Sequence, residues 1–136
     1  MGFCFKYEDR SIMSKILIIE DEPDTAKVVA KRLTQSSFEV VVAVDAYEGV
    51  KFAHKEKPDL IILDLMLPAG GGLSVLKNIR MSAEIRYTPV VVLTGIKDED
   101  YKQQILDEGV ESYLEKPYDP DVLISTIQDI LKKEKS

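Results

Sequence analysis

The sequence predicts an α/β fold: a doubly wound three-layer sandwich of five βα units around a parallel five-stranded sheet. Two observations carry this. Short runs of Val, Ile and Leu alternate strictly with segments of helical period, and strands of that composition, each followed by a helix, imply a parallel sheet covered on both faces. Five such units are also too few for a closed eight-fold barrel, so the sheet stays open.

Lys15 to Ile19 is a β-branched run and reads as the first strand. Glu20, Asp21, Glu22 and Pro23 follow, residue types favoured where a helix begins. The helix reads over Asp24 to Gln35, with Val29 and Leu33 four apart. Phe38 to Val44 is the second strand, and Asp45 is a good N-cap for a helix to about Lys55. Pro58 breaks the chain before the third strand, Leu60 to Asp64. Pro68 and Gly70-Gly71-Gly72 read as a loop, and Leu73 to Met81 as a helix with Leu73, Leu76 and Ile79 on one face. Pro89 precedes the fourth strand, VVVLT. Asp98 opens a helix that ends near Gly109, a good C′ residue. Val110 to Glu115 is the fifth strand, closed by Lys116-Pro117. The last helix spans Asp119 to Lys133, with Leu123, Ile127 and Ile130 inward.

At 136 residues, 45% hydrophobic and 31% charged, the chain suits one globular domain with a real core. Its net charge of -6 gives no electrostatic reason to bind nucleic acid. Cys4 is the single cysteine, so no internal disulfide forms, which suits a reducing compartment. No apolar run approaches the ~20 residues that span a bilayer. Residues 1–14 read as a flexible leader or an upstream-start extension, with Met13 as an alternative start. They lack a secretory signal, and Lys6 breaks the myristoylation pattern after Met-Gly. Residues 134–136 read as a tail.

In open parallel sheets the ligand site lies beyond the carboxyl ends of the strands. Glu20-Asp21, Asp64, Thr94-Gly95 and Lys116 stand at those ends. Each alone has a structural explanation: a cap for Asp21, a β-former for Thr94, a surface charge for Lys116. Together they point to a site. Crowded acids repel unless a cation joins them, and oxygen ligands alone select a hard ion such as Mg²⁺. A carboxylate also serves as a nucleophile toward phosphorus. Asp64 would attack in line while Mg²⁺, the Thr94 hydroxyl and the Lys116 ammonium neutralise the three equatorial oxygens.

With those residues in place, the chain resembles the receiver domains of two-component response regulators, CheY-like and of the stand-alone type, over 15–133. The matching segments are ILIIEDEPD, PDLIILDLMLP, VVVLTG and YLEKPY, in order and each at a strand end. The resemblance implies a flavodoxin-like fold of strand order 2-1-3-4-5. It implies a cytoplasmic, phosphorylation-dependent signalling switch, not an enzyme beyond weak self-phosphorylation and self-dephosphorylation. Asp64 is similar to the phospho-acceptor that takes phosphate from a histidine kinase or phosphotransfer protein. Asp21 would bind Mg²⁺ (or Mn²⁺) directly and Glu20 through water, with Asp64 and the main-chain carbonyl of Met66 completing the shell. Thr94 and Tyr113 look like the switch pair, Lys116 the phosphate-contacting lysine, and Lys116-Pro117 a cis bond.

Three positions depart from the family's common pattern. Glu20 stands for the more frequent Asp. Met66, at the mouth of the site, is apolar and bears on how fast water reaches the phosphate. The Gly70-Gly71-Gly72 run replaces a loop that often carries an acid, and is expected to be more mobile.

Phosphorylation would draw Thr94 toward the phosphate and let Tyr113 turn inward. The output would run through protein contact on the face of the fourth helix, fifth strand and fifth helix, with Lys102, Leu106 and Tyr113 as candidate contacts. The expected partners are a kinase or phosphotransfer protein and an unknown downstream protein, without nucleic acid or membrane, and the state a monomer or a phosphorylation-dependent homodimer. His54, the one histidine, reads as a surface residue with no matching acid.

A flavin carrier would need a hydroxyl- and glycine-rich phosphate loop where EDEPD stands. A dinucleotide enzyme would need G-x-G-x-x-G, which is absent. An aspartyl phosphatase would need a second acid where Met66 stands. A receiver-like module that signals without phosphate, or a receiver cut from a longer regulator or hybrid kinase, remains as the alternative.

Overall fold

The computed structural model describes residues 13–68 and 71–135. Most of the expected leader, with Cys4 and Lys6, lies outside them, as do Gly70 and Ser136. Ser14 is buried and its carbonyl accepts from the Glu39 N–H, so the folded part includes it.

Strands β1 (Lys15–Ile19), β2 (Glu39–Ala43), β3 (Leu60–Asp64), β4 (Val90–Thr94) and β5 (Ser112–Glu115) alternate with five helices. The helices are α1 (Pro23–Gln35), α2 (Ala46–Glu56), α3 (Gly71–Met81), α4 (Glu99–Glu108) and α5 (Pro120–Lys135). All pairings are parallel, in the order β2-β1-β3-β4-β5. This is the flavodoxin-like three-layer sandwich.

The strand period of two divides the core. Leu17, Ile19, Ile61, Leu63, Val90 and Val92 point to the α2–α4 side, where Ala53, Val75, Leu76, Ile79 and Ile105 meet them. Ile16, Ile18, Leu60, Ile62, Val91 and Leu93 point to the α1 and α5 side, against Val29, Leu33, Leu123, Ile127 and Leu131. Each such side chain, fully buried, contributes about 1.5–3 kcal/mol. The central strands β3 and β4 are buried at every residue, which explains their unbroken apolar runs.

Several boundaries differ from the sequence reading. The α3 helix begins at Gly71, inside the expected loop, and both Gly71 and Gly72 are buried. A Cβ on Gly72 would lie 2.9 Å from Leu65 Cα and 3.2 Å from Leu65 O. The first turn of α3 thus sits directly on the chain just past Asp64, an approach only glycine permits. In α5 the buried residue is Leu131, with Ile130 half-buried beside it, because i, i+4, i+8 from Leu123 is the better helical stripe. This helix continues through Lys135, so residues 134 and 135 of the expected tail are helical.

The α2 cap is reciprocal. Asp45 Oδ1 accepts from Glu48 N at 2.8 Å, and Glu48 Oε1 accepts from Val44 N at 3.0 Å. Asp98 caps α4 by accepting from the N–H groups of Asp100 and Tyr101.

Candidate functional site

Parallel register brings four strand ends to one edge of the sheet. Ile19 pairs with Leu63, so the next residues, Glu20 and Asp64, leave adjacent strands side by side. Asp64 pairs with Leu93, placing Thr94 next along β4, and Thr94 pairs with Glu115, placing Lys116 next along β5. Backbone bonds hold these exits: Leu65 N donates to Leu93 O at 3.2 Å, and Lys116 N to Thr94 O at 2.8 Å. The Lys116-Pro117 bond is cis.

Asp64 is 3% exposed. Its Oδ2 accepts from Lys116 Nζ at 2.6 Å and its Oδ1 from Met66 N at 2.8 Å. Burial alone would push this carboxyl up. Hydrogen bonds from Glu20, the Lys116 ammonium and the Met66 N–H outweigh it and hold Asp64 below the ordinary carboxylate value. Lys116 shows the converse: burial favours its neutral form, but the bond to Asp64 and that carboxylate's charge hold its pKa above the ordinary lysine value.

Glu20 is also buried. Burial first, then its hydrogen bond to Asp64 and the like charge there, push its pKa up to about 8, against the N–H of Glu22 and the charge of Lys116. At neutral pH Glu20 therefore holds a proton and donates it to Asp64. Two carboxyl groups this close share one negative charge. Both offer only oxygen donors, the class that hard divalent cations select, and such a cation satisfies the same pair that the proton now satisfies. The pair therefore fits Mg²⁺ or Mn²⁺. Asp21, expected to join them, is exposed, and among the described residues no group of three or more His, Cys, Asp or Glu side chains is arranged to hold a metal.

Thr94 is fully buried, and its Oγ1 accepts from Ile96 N at 2.9 Å. Tyr113, two residues before Glu115 on β5, is half-buried and packs against the α2–α4 side of the core. Its hydroxyl is buried and has no hydrogen-bond partner among the described residues. The Lys102 ammonium lies 5.0 Å from the centroid of that ring. Leu106 is 39% exposed while its neighbour Ile105 is fully buried. Met66 is more than half exposed, and its Sδ would lie 3.4 Å from a Cβ on Gly95, so this side chain bridges the loops after β3 and β4.

Three features escaped the sequence reading. Tyr118 is half-buried within the electric field of Lys116, Glu20 and Asp64; its place in YLEKPY was the only signal. His54 has an acid after all: its Nδ1 lies 3.2 Å from Glu84 Oε1, thirty residues away in sequence. At the opposite edge of the sheet, Arg80 donates to the carbonyls of Gly109, Arg86 and Thr88, tying α3 to the start of β4 and the turn after α4. A lone arginine late in a helix gave no sign of this.

Comparison with known proteins agrees with the geometry. The family model for the response regulator receiver domain matches residues 16–128. The DNA-binding dual master transcriptional regulator RpaA of Synechocystis sp. is 35% identical over 121 residues, which is 89% of this chain and 50% of that protein. This chain spans about half the length of the curated relatives it matches. Among solved structures, the signal receiver domain of a LuxO repressor protein from Vibrio parahaemolyticus aligns with a TM-score of 0.82 at 28% identity, covering 91% of this chain and 94% of that one. The chemotaxis response regulator CheY4 of Vibrio cholerae aligns at 0.79 and 30% identity, covering 87% and 98%. No helix among the described residues is long and apolar enough to cross a membrane.

Proposed function

Because the chain belongs to the family of response regulator receiver domains, we propose that it is a phosphorylation-dependent signalling switch whose acceptor is Asp64. The donor is a phosphohistidine on a histidine kinase or phosphotransfer protein. A carboxylate oxygen of Asp64 attacks phosphorus, the phosphorus–nitrogen bond breaks, and the released imidazole takes a proton from solvent. The product is an acyl phosphate on Asp64.

The observation that carries this reading is the 2.6 Å pair between Asp64 Oδ2 and Lys116 Nζ at the mouth of the parallel sheet. Hydrogen bonds from Glu20, Lys116 and the Met66 N–H outweigh burial, keep Asp64 ionised and fix its direction, as a nucleophile requires. Lys116 exchanges its carboxylate partner for a phosphoryl oxygen, and the Thr94 hydroxyl turns to another. Glu20, Asp21, Asp64 and the Met66 carbonyl would hold Mg²⁺ or Mn²⁺, which supplies positive charge to the transferring group. Exposed Met66 stands where water would reach the acyl phosphate, whose slow self-hydrolysis resets the switch.

Movement of Thr94 is read by Tyr113 and passed to the α4-β5-α5 face, where Lys102, Leu106 and Tyr113 meet a downstream protein. In this reading the chain works in the cytoplasm, as a monomer or a phosphorylation-dependent homodimer, and residues 15–133 form the receiver unit.

The test is intact-mass spectrometry after incubation with Mg²⁺ and a small-molecule phosphodonor. One added phosphate in the wild type, absent in Asp64→Asn and absent without Mg²⁺, is the expected result. No adduct on a chain shown to be folded would leave a phosphate-independent interaction module.

A further inference from the structure

The α2 and α3 helices leave an apolar groove on the outer surface, on the α2–α4 side of the sheet. Its volume is about 360 Å³, and Ala46, Tyr47, Val50 and Lys51 from α2 face Ser74, Val75 and Asn78 from α3. Across the ridge made by Ser74 and Asn78 lies a second depression of about 320 Å³, lined also by Leu73, Lys77 and Met81. The two form one continuous surface over α3.

Three features separate this surface from an ordinary crease between helices. Tyr47 and Met81, at its margins, are 75% and 82% exposed, so two large apolar side chains flank one contiguous apolar surface. Among the described residues neither depression is lined by a carboxylate, although the chain has 24 acids against 18 Lys and Arg. The nearest acid of α2, Glu48, is spent on the cap of its own helix. Lys51 and Lys77 supply the only charges, one in each depression, and both are exposed and form no ion pair or hydrogen bond among the described residues.

We propose that this α2–α3 surface docks an acidic amphipathic helix of a partner protein. Apolar anchors at i and i+3 or i+4 would seat in the two depressions. Flanking Asp or Glu would pair with Lys51 and Lys77. The apolar floor supplies affinity, and the two ammonium groups select an acidic partner on an otherwise acidic molecule. This surface is separate from Asp64 and from the α4-β5-α5 face, so the inference stands or falls apart from the phosphorylation reading.

The test uses the full chain and a designed, fluorescein-labelled acidic helix with Leu at i, i+3 and i+7 and Glu elsewhere on its exposed faces. A control peptide carries Gln in place of Glu. Two-dimensional ¹⁵N–¹H spectra should show peptide-induced shifts centred on 46–51 and 73–81. Fluorescence anisotropy should show binding that weakens with salt and falls at least about fivefold in Lys51→Glu/Lys77→Glu. The Gln peptide should bind as weakly. Both lysines are exposed, so the double variant should keep the wild-type circular dichroism, and Tyr47→Ala gives a second, charge-neutral check. Several outcomes would overturn the proposal: no binding at millimolar peptide, shifts centred elsewhere, or equal affinity for the Gln peptide. So would shifts at the groove that grow with protein concentration alone, which would assign the surface to a second copy of this chain.

Discussion

Burial and the neighbouring Asp64 keep Glu20 protonated up to about pH 8, against an ordinary value of 4.5. Between those values the folded chain binds more protons than the unfolded one, so stability declines as pH rises. The contribution is full below 4.5 and is lost as pH rises through about 8. Asp64 acts with the opposite sign: its depressed pKa stabilises above the ordinary 3.8 and is lost only as pH falls below it. Lys116, raised from 10.5, loses its contribution only in stronger alkali. In chelator, the melting temperature should therefore fall by at least about 5 °C between roughly pH 5 and pH 9. Glu20→Gln should flatten that slope, and Mg²⁺ should raise the melting temperature more at the alkaline end, where the pair is fully ionised. A wild-type profile as flat as the variant's would mean that Glu20 ionises without cost. Adjacent acids at 20 and 21 look equivalent in the sequence. Register with Leu63 decides that Glu20 stands beside Asp64, and that is a property of strand pairing, not of residue type.

At the scale of the element, α3 is the instructive case. Three consecutive glycines read as a loop because glycine costs about 1 kcal/mol per position in a helix. Gly71 and Gly72 are nonetheless helical, since Leu65 leaves no room for a Cβ at Gly72. Tertiary contact overrides local propensity here, and a window of sequence around 71 holds no trace of Leu65's position. Gly72→Ala sets a propensity gain of about 1 kcal/mol against overpacking of about 1–3 kcal/mol. The contact at 2.9 Å is with backbone, which cannot swing aside as a side-chain tip can, so the clash should win. With the overpacking cost in the upper half of that range, urea denaturation should show a net loss of about 1–2 kcal/mol. Leu65 adjoins Asp64, so under the proposed function phosphorylation of Asp64 should slow as well. An unchanged or raised midpoint would show that the loop after β3 is free to shift. Elsewhere local signals sufficed: Asp45 and Asp98 cap as their residue type suggests.

For the molecule as a whole, strict βα alternation made the three layers legible, because fully buried strands need helices on both faces. The order β2-β1-β3-β4-β5 was not written in any one segment; it came through resemblance to a family. The same architecture makes a prediction about cooperativity. Neighbouring residues of β3 serve opposite layers, Ile62 toward α1 and α5, Leu63 toward α2–α4. Loss of either layer would strip one face of the central strands, so neither layer should persist alone. Ile62→Ala and Leu63→Ala should each cost about 2–5 kcal/mol with the denaturant slope unchanged. The chain has no tryptophan, but its tyrosines report on both sides, Tyr101 and Tyr113 packing with one core and Tyr118 with the other. Tyrosine fluorescence and far-ultraviolet circular dichroism should therefore trace a single coincident transition in the wild type and both variants. A transition that splits in one variant alone would identify the layer able to unfold while the rest of the sandwich stands.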